Sequence, residues 1–227
     1  MSVSILPTIL NAPLDKLVKS SPFHGEDYGF EPRTEYQSLY PFVYLMSKII
    51  NLYGGPGIGK STQASGLYFE MKKLGMSVEM PYEYPKVLAW DKNYNAVKDQ
   101  LYVIGNQHRN IARLYGQVDY IIVDSPILLS LVYKDRYNDE PEYPSSLYGD
   151  KFNEFILDLN SKYDSLNIVL ERDSDMFNQD GRFQDLDESV EIDTDIVTIL
   201  DSNNINYNLV KVNDDSIKTI LSLLAIS

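Results

Sequence analysis

From Lys48 onward, short apolar runs alternate with longer stretches in which apolar residues recur every three or four positions. The runs are KIINLY at 48–53, SVEMPY at 77–82, DYIIVD at 119–124, LNIVLE at 166–171 and YNLVKV at 207–212. Strand-length runs separated by helical patterns predict a five-stranded parallel sheet with crossover helices on both faces. The clearest helix follows the first run. Ala64, Leu67, Tyr68, Met71 and Leu74 fall on one face, Lys72 and Lys73 occupy the last turn, and Gly75 stands where a C-cap is expected. Another helix contains GNQHRNIARLY, before the third strand, and Ile192, Ile196, Ile199 and Leu200 form an apolar stripe on an acidic helix. The acids around that stripe, Asp185, Asp187, Glu188, Glu191, Asp193 and Asp195, read as a solvated face and an acid-favoured helix start. Residues 1–46 hold scattered Pro, Ser and aromatic residues without a sustained period. They read as an N-terminal extension with one short helix near Pro13 to Lys19, leaving 47–227 as the main domain. The polar, turn-rich stretch 134–150 reads as a loop long enough to be functional.

Composition narrows the chemistry. A chain of 227 residues with 44% hydrophobic content suits one globular domain with a substantial core. It has 33 acidic and 20 basic residues, and a net charge of −13 repels a nucleic-acid backbone and leaves only a local basic groove as a route to such a partner. With no cysteine, disulfides, thiolate nucleophiles and cysteine-ligated zinc are excluded, and His24 and His108 alone make a histidine-built metal site a poor expectation. No apolar run reaches the roughly 18 to 20 residues that span a bilayer, and no basic-then-apolar leader opens the chain. The expectation is a cytoplasmic protein without a membrane partner; a homodimer is compatible with it.

The segment NLYGGPGIGKST carries the strongest chemical signal. Gly54, Gly55, Pro56, Gly57, Ile58, Gly59, Lys60, Ser61 and Thr62 fill the pattern G-x-x-x-x-G-K-[ST] between an apolar strand and an amphipathic helix, the context a P-loop requires. Glycines let the backbone fold around phosphate oxygens with its N–H groups turned inward, and the helix N-terminus adds partial positive charge. Lys60 is placed to reach the β- and γ-phosphates of ATP, and the Ser61 hydroxyl to join the Mg2+ shell. Asp124, at the end of the third strand, is the second expected Mg2+ contact, and it is also positioned to cap a helix after Ser125-Pro126. Glu83 follows the second strand and faces the same crevice, where a carboxylate can orient an acceptor hydroxyl and take its proton late in the transfer. Glu79, placed mid-strand, is the weaker candidate.

The strand, P-loop and helix, then VEMPYEYPKVLAW, GNQHRNIARLY and YIIVDSP, resemble the small P-loop kinases of nucleosides and related ribosides, including ribosylnicotinamide and deoxynucleoside kinases and phage-type relatives. The resemblance covers roughly 48–212 and rests on order and spacing outside the P-loop. It implies a three-layer P-loop NTPase fold with a lid over about 172–188, whose Arg172 and Arg182 would close on the phosphates. It also implies a general-base role for Glu83 and contact between Gln107 and the acceptor's base. Deoxynucleoside kinases follow the third strand with an acidic-Arg-Ser triplet; Asp124-Ser125-Pro126 lacks that arginine, which sets this chain apart from them. Tyr82, Tyr84 and Trp90 flank Glu83 and are stacking candidates, while Arg109, which shares a helix face with Arg113, could meet an acceptor phosphate. No guanine-reading Asn-Lys-x-Asp stands late in the chain, which favours ATP.

The expected activity is therefore ATP- and Mg2+-dependent phosphorylation of a hydroxyl on a small nucleoside- or nucleotide-like acceptor. A kinase acting on DNA or RNA, on a polynucleotide hydroxyl or a modified base, stays open and would need a clustered basic groove. A P-loop ATPase without a kinase acceptor also stays open, and acceptor-independent hydrolysis would mark it. A non-catalytic nucleotide-binding module is disfavoured because Lys60, Glu83 and Asp124 are all present.

Overall fold

The computed structural model describes residues 46–137, 148–172 and 185–224. The expected N-terminal extension, the short helix at 13–19 and Arg182 lie outside those residues. In chain order the elements are β1 (Lys48–Tyr53), α1 (Lys60–Lys73), β2 (Val78–Glu79), α2 (Tyr84–Trp90), α3 (Tyr94–Lys98), α4 (Gln100–Ala112) and β3 (Tyr120–Val123). They continue with α5 (Leu129–Arg136), α6 (Asp150–Ser161), β4 (Ser165–Glu171), α7 (Leu186–Ser202), β5 (Asn208–Lys211) and α8 (Ser216–Leu223). The strands form one sheet in the order β2-β3-β1-β4-β5, every pairing parallel, with Ile50 opposite Ile122 on one side and Leu166 on the other. All five expected strands are present. β2 is shorter than its apolar run, because Pro81 has no N–H to give a ladder and the chain leaves the sheet before it.

Strand alternation divides the core in two. Ile49, Tyr53, Ile121, Val123 and Val169 face α4, α5, α6 and α7. Ile50, Leu52, Ile122, Ile168 and Leu170 face α1 and α8. Helices on both faces make the three-layer arrangement that a parallel sheet needs. α1 buries Gln63, Ala64, Leu67 and Met71, whereas Leu74 is turned outward at 55% exposure because the helix has already ended there. Gly75 follows with φ 77 and donates to Lys72 O, while Met76 N–H reaches Met71 O, the paired bonds of a Schellman stop.

Two expectations change around the acidic segment and the loop. Asp185 and Glu188 form a reciprocal capping box at the start of α7, the expected acid-favoured helix start, while 173–184 of the expected lid lies outside the described residues. The acids of α7 are only partly a solvated face, since Asp193 pairs with Arg172 at 3.0 Å and Asp195 with Arg136 at 2.7 Å. The stretch read as a loop from 134 is still helical to Arg136; 138–147 lies outside the described residues. Among the described residues no helix is long and apolar enough to cross a membrane.

Candidate active site

β1 lies between β3 and β4, where the sheet's connections change direction, so its C-terminal end opens the crevice in which α/β folds bind ligands. The 54–59 loop turns there into α1. Gly59 caps that helix with φ 97, a left-handed conformation that a side chain would strain. No side chain caps α1 and its first turn contains no acid, so its leading N–H groups stand at a positive helix end. This is the build of an anion cradle. Lys60 Nζ bends back to Gly54 O at 2.6 Å and Gly55 O at 3.0 Å. Ile58 puts its side chain into the core, 1% exposed, and Thr62 is exposed.

Ser61 Oγ donates to Asp124 Oδ2 at 2.9 Å, and Asp124 is 6% exposed at the end of β3. Asp124 caps no helix: α5 begins at Leu129, after a turn in which Leu129 N–H bonds Pro126 O. A hydroxyl and a carboxylate beside a phosphate cradle are hard oxygen donors that suit Mg2+, which commonly takes one or two protein ligands and completes its shell with phosphate and water. No cluster of three or more His, Cys, Asp or Glu side chains occurs among the described residues, consistent with so sparse a donor set.

One cleft of about 990 Å³, its open mouth included, runs from the P-loop to the α2, α4 and α5 walls. Pro56, Gly57, Lys60 and Ser61 line one end; Glu83, Pro85, Lys86 and Ala89 line the α2 side. Val97, Gln100, Val103 and Gln107 face them, with Ser125, Pro126, Leu129, Ser130 and Tyr133 closing the wall. Glu83 is the N-cap residue of α2, but its side chain makes no cap bond, and it lines the cleft beside Lys60 and Ser61. Glu79, in contrast, forms an exposed ion pair with Lys72 at 3.1 Å.

Gln107 is neither a surface amide nor freely available to a base. It is 6% exposed, its Oε1 accepts from Tyr84 N–H at 3.3 Å and its Nε2 donates to Ser125 O. It therefore braces the Glu83 loop against the segment following Asp124 while contributing to the cleft wall. Tyr84, Trp90 and Arg109 do not line the cleft. The Tyr84 hydroxyl bonds that of Tyr102, an interaction that pushes its pKa up to about 12, and the two rings meet edge-on at 5.6 Å. Trp90 is 62% exposed, because α2 turns Pro85, Lys86 and Ala89 inward and its other sides outward. On α4 the inward positions are Gln100, Val103 and Gln107; Arg109, two residues on, points to the far side.

Arg172 sits beneath the P-loop rather than above it. Its Nε donates to Asp193 Oδ2 and its Nη2 to Pro56 O, each at 3.0 Å, while Asp193 Oδ1 accepts from Gly55 N–H. A Cβ on Gly55 would lie 2.3 Å from Ser189 O, so that glycine is demanded by the approach of α7. Lys86, Gln100, Ser130 and Tyr133 were not among the expected site residues. Spacing could have pointed to the first two: Lys86 follows Glu83 by one turn, and Gln100 shares a stripe with Val103 and Gln107. Burial, then the neighbouring Tyr137 and Glu83, push the Tyr133 hydroxyl well above its ordinary pKa, so it stays a protonated donor on the cleft wall.

The parallel sheet, the glycine cradle with Lys60 and Ser61, and the adjoining cleft define a small P-loop protein. Residues 49–218 match the model of the AAA domain family, and the chain belongs to that family. A thymidylate kinase of Dehalococcoides mccartyi is 30% identical over 103 residues, covering 41% of this chain and 47% of that enzyme, so the match spans about half the relative's length. Among solved structures, the NadR protein in complex with NR aligns with a TM-score of 0.58 at 12% identity, over 80% of this chain and 52% of that one. Deoxyadenosine kinase from M. mycoides, with dCMP and dCDP bound, aligns with a TM-score of 0.51 at 16% identity, over 78% and 98%. At such identities the likeness is one of fold.

Proposed function

We propose that the protein is an ATP- and Mg2+-dependent kinase that transfers the γ-phosphate to a hydroxyl of a small nucleoside- or nucleotide-like acceptor. The observation that carries this reading is the one cleft lined by Lys60, Ser61 and Glu83 together, which continues past the P-loop along walls from α2, α4 and α5. A phosphate-binding ATPase needs the first part and has no use for the second. The thymidylate kinase relative and the deoxyadenosine kinase of like fold support the same class of acceptor.

In this reading the 54–62 backbone and Lys60 hold the triphosphate, and Ser61 and Asp124 are the residues that hold Mg2+. The ion would supply charge neutralisation on the phosphate oxygens. Glu83 orients the acceptor hydroxyl for in-line approach. A bond forms from the acceptor oxygen to the γ-phosphorus, the bond to the β,γ-bridging oxygen breaks, and the hydroxyl proton passes to the Glu83 carboxylate. Gln107 fixes the spacing between the Glu83 and Asp124 segments, and Arg172 with Asp193 steadies the P-loop from below. Arg182 would act from outside the described residues, closing over the phosphates. A net charge of −13 supports a small acceptor over a nucleic acid. Among the described residues no exposed basic cluster lines the cleft, where Lys60 and Lys86 are the cations.

The direct test is transfer of labelled γ-phosphate from ATP to a panel of nucleosides, nucleotides, ribosylnicotinamide and DNA oligomers, with an acceptor-free control. Labelled product with a small acceptor is expected. Equal ATP turnover with and without every acceptor would replace the kinase with an ATPase.

A further inference from the structure

Lys86 is a charged group in the cleft that the proposed transfer does not use. It sits on α2 one turn after Glu83, half-buried and lining the same cleft. Among the described residues it has no hydrogen-bond or ion-pair partner. Its lysine neighbours in the fold differ. Lys48, Lys72, Lys73, Lys134, Lys162 and Lys218 each meet a carboxylate within 3.1 Å. Lys98 lies over the Tyr137 ring and Lys60 on P-loop carbonyls. Lys92, Lys151 and Lys211 are simply exposed. Among the described residues, a half-buried ammonium left without a carboxylate is conspicuous, because partial burial without a counter-charge is unfavourable. Pro85, Ala89 and Val97 add apolar surface to the same cleft lining, which lowers the local dielectric and strengthens attraction to any anion that enters.

From this we infer that Lys86 reads a negative charge on the acceptor, selecting a nucleoside monophosphate over the free nucleoside. The inference rests on the kinase reading for the word acceptor. Residues one helical turn apart have Cβ atoms about 5 to 6 Å from each other. A hydroxyl held at Glu83 and a phosphate held at Lys86 therefore belong to one nucleotide. Glu83 repels the same phosphate from its own position, so the pair of opposite charges also orients the molecule, hydroxyl toward the P-loop and phosphate along α2.

The test is calorimetric binding of nucleosides and of their 3′- and 5′-monophosphates, with the P-loop first saturated by a non-hydrolysable ATP analogue and Mg2+. Wild type should bind one class of monophosphate at least about tenfold more tightly than the nucleoside, the two phosphate positions telling which hydroxyl faces Glu83. Lys86→Met should lose about 10- to 100-fold affinity for that monophosphate with less than a threefold change for the nucleoside, and Lys86→Arg should restore most of it. Equal affinity of wild type for nucleoside and monophosphates, no binding of either, or an equal loss of both in Lys86→Met overturns the inference. Binding is read without turnover: a Lys86-dependent preference in a protein that phosphorylates nothing would leave this inference standing and remove the kinase reading instead.

Discussion

The two ends of the cleft are built by different means. In the proposed reading, the donor end is chiefly backbone, drawn from the continuous segment 54–62, with glycine conformation and a helix start doing what side chains do elsewhere. The end proposed for the acceptor is side chain, assembled from α2, α3, α4, α5 and the turn after β3, which are brought together only by the fold. A contiguous backbone site is constrained residue by residue, so its sequence is a pattern. A site gathered from separated helices constrains only which face of each helix turns inward, and many side chains satisfy that.

The sharpest break between the two ends is a change at Glu83 that leaves the donor end intact. Glu83→Gln should keep ATP binding while reducing transfer by about two to four orders of magnitude, the range for loss of a general base. Rapid-quench measurement of γ-phosphate transfer, with ATP affinity taken separately, checks both halves. Transfer at the wild-type rate would return Glu83 to a structural role at the start of α2.

Next in size is a change that attacks the donor end from beneath. Gly55→Ala puts a methyl group where Ser189 O lies 2.3 Å from the added carbon, and backbone can yield there only by moving the P-loop or α7. Overpacking of this kind costs about 1 to 3 kcal/mol, read as a fall in Tm of several degrees, and ATP affinity should fall with it. A Tm and ATP affinity equal to wild type would show that α7 does not brace the loop.

Smaller again is the coupling between Arg172 and Asp193. Each side chain bonds the P-loop as well as its partner, Arg172 at Pro56 O and Asp193 at Gly55 N–H. A double-mutant cycle with Arg172→Met and Asp193→Asn should give an interaction of about 1 to 3 kcal/mol in unfolding free energy, above the range for exposed pairs. Additive effects would mean that the two act on the loop separately.

The asymmetry also explains what was legible in the sequence. Strand runs, the α1 stripe and the P-loop letters were sufficient for the sheet, its parallel order of helices and strands, and the donor end. Glu83 could be placed at the cleft because it follows a strand directly into the crevice. Gln107 could be placed on the cleft side of α4, yet its two hydrogen bonds, to Tyr84 and Ser125, depend on where two distant segments come to lie. Trp90 and Tyr84 were misplaced because nearness to Glu83 in sequence says nothing of the side of α2 they occupy. Arg172 and Asp193 were read as a phosphate-closing cation and a solvated acid, although each is the other's partner. Charge type is visible in a sequence; pairing across 21 positions is not.

The least effect is expected behind the acceptor wall, where α4 turns His108 away from the cleft. His108 Nε2 lies 2.8 Å from the Tyr163 hydroxyl, and Tyr163 packs edge-on against Tyr115. Burial lowers the His108 pKa below 6.5, so the folded protein favours the neutral ring. The unfolded chain then takes up a proton at a higher pH than the folded one does. The corresponding stability is complete above pH about 6.5 and is lost as pH falls below it toward the folded pKa, the opposite sense to a histidine that gains a carboxylate partner. His108→Gln should therefore be destabilised slightly at pH about 7.5, through the altered packing on Tyr163, and should lose less further stability than wild type between pH about 7 and 5. Denaturant melts of both proteins across that interval isolate the histidine from the carboxylates they share. Parallel pH profiles would show that His108 titrates alike in the folded and unfolded chains, and that the back of the acceptor wall is open to water.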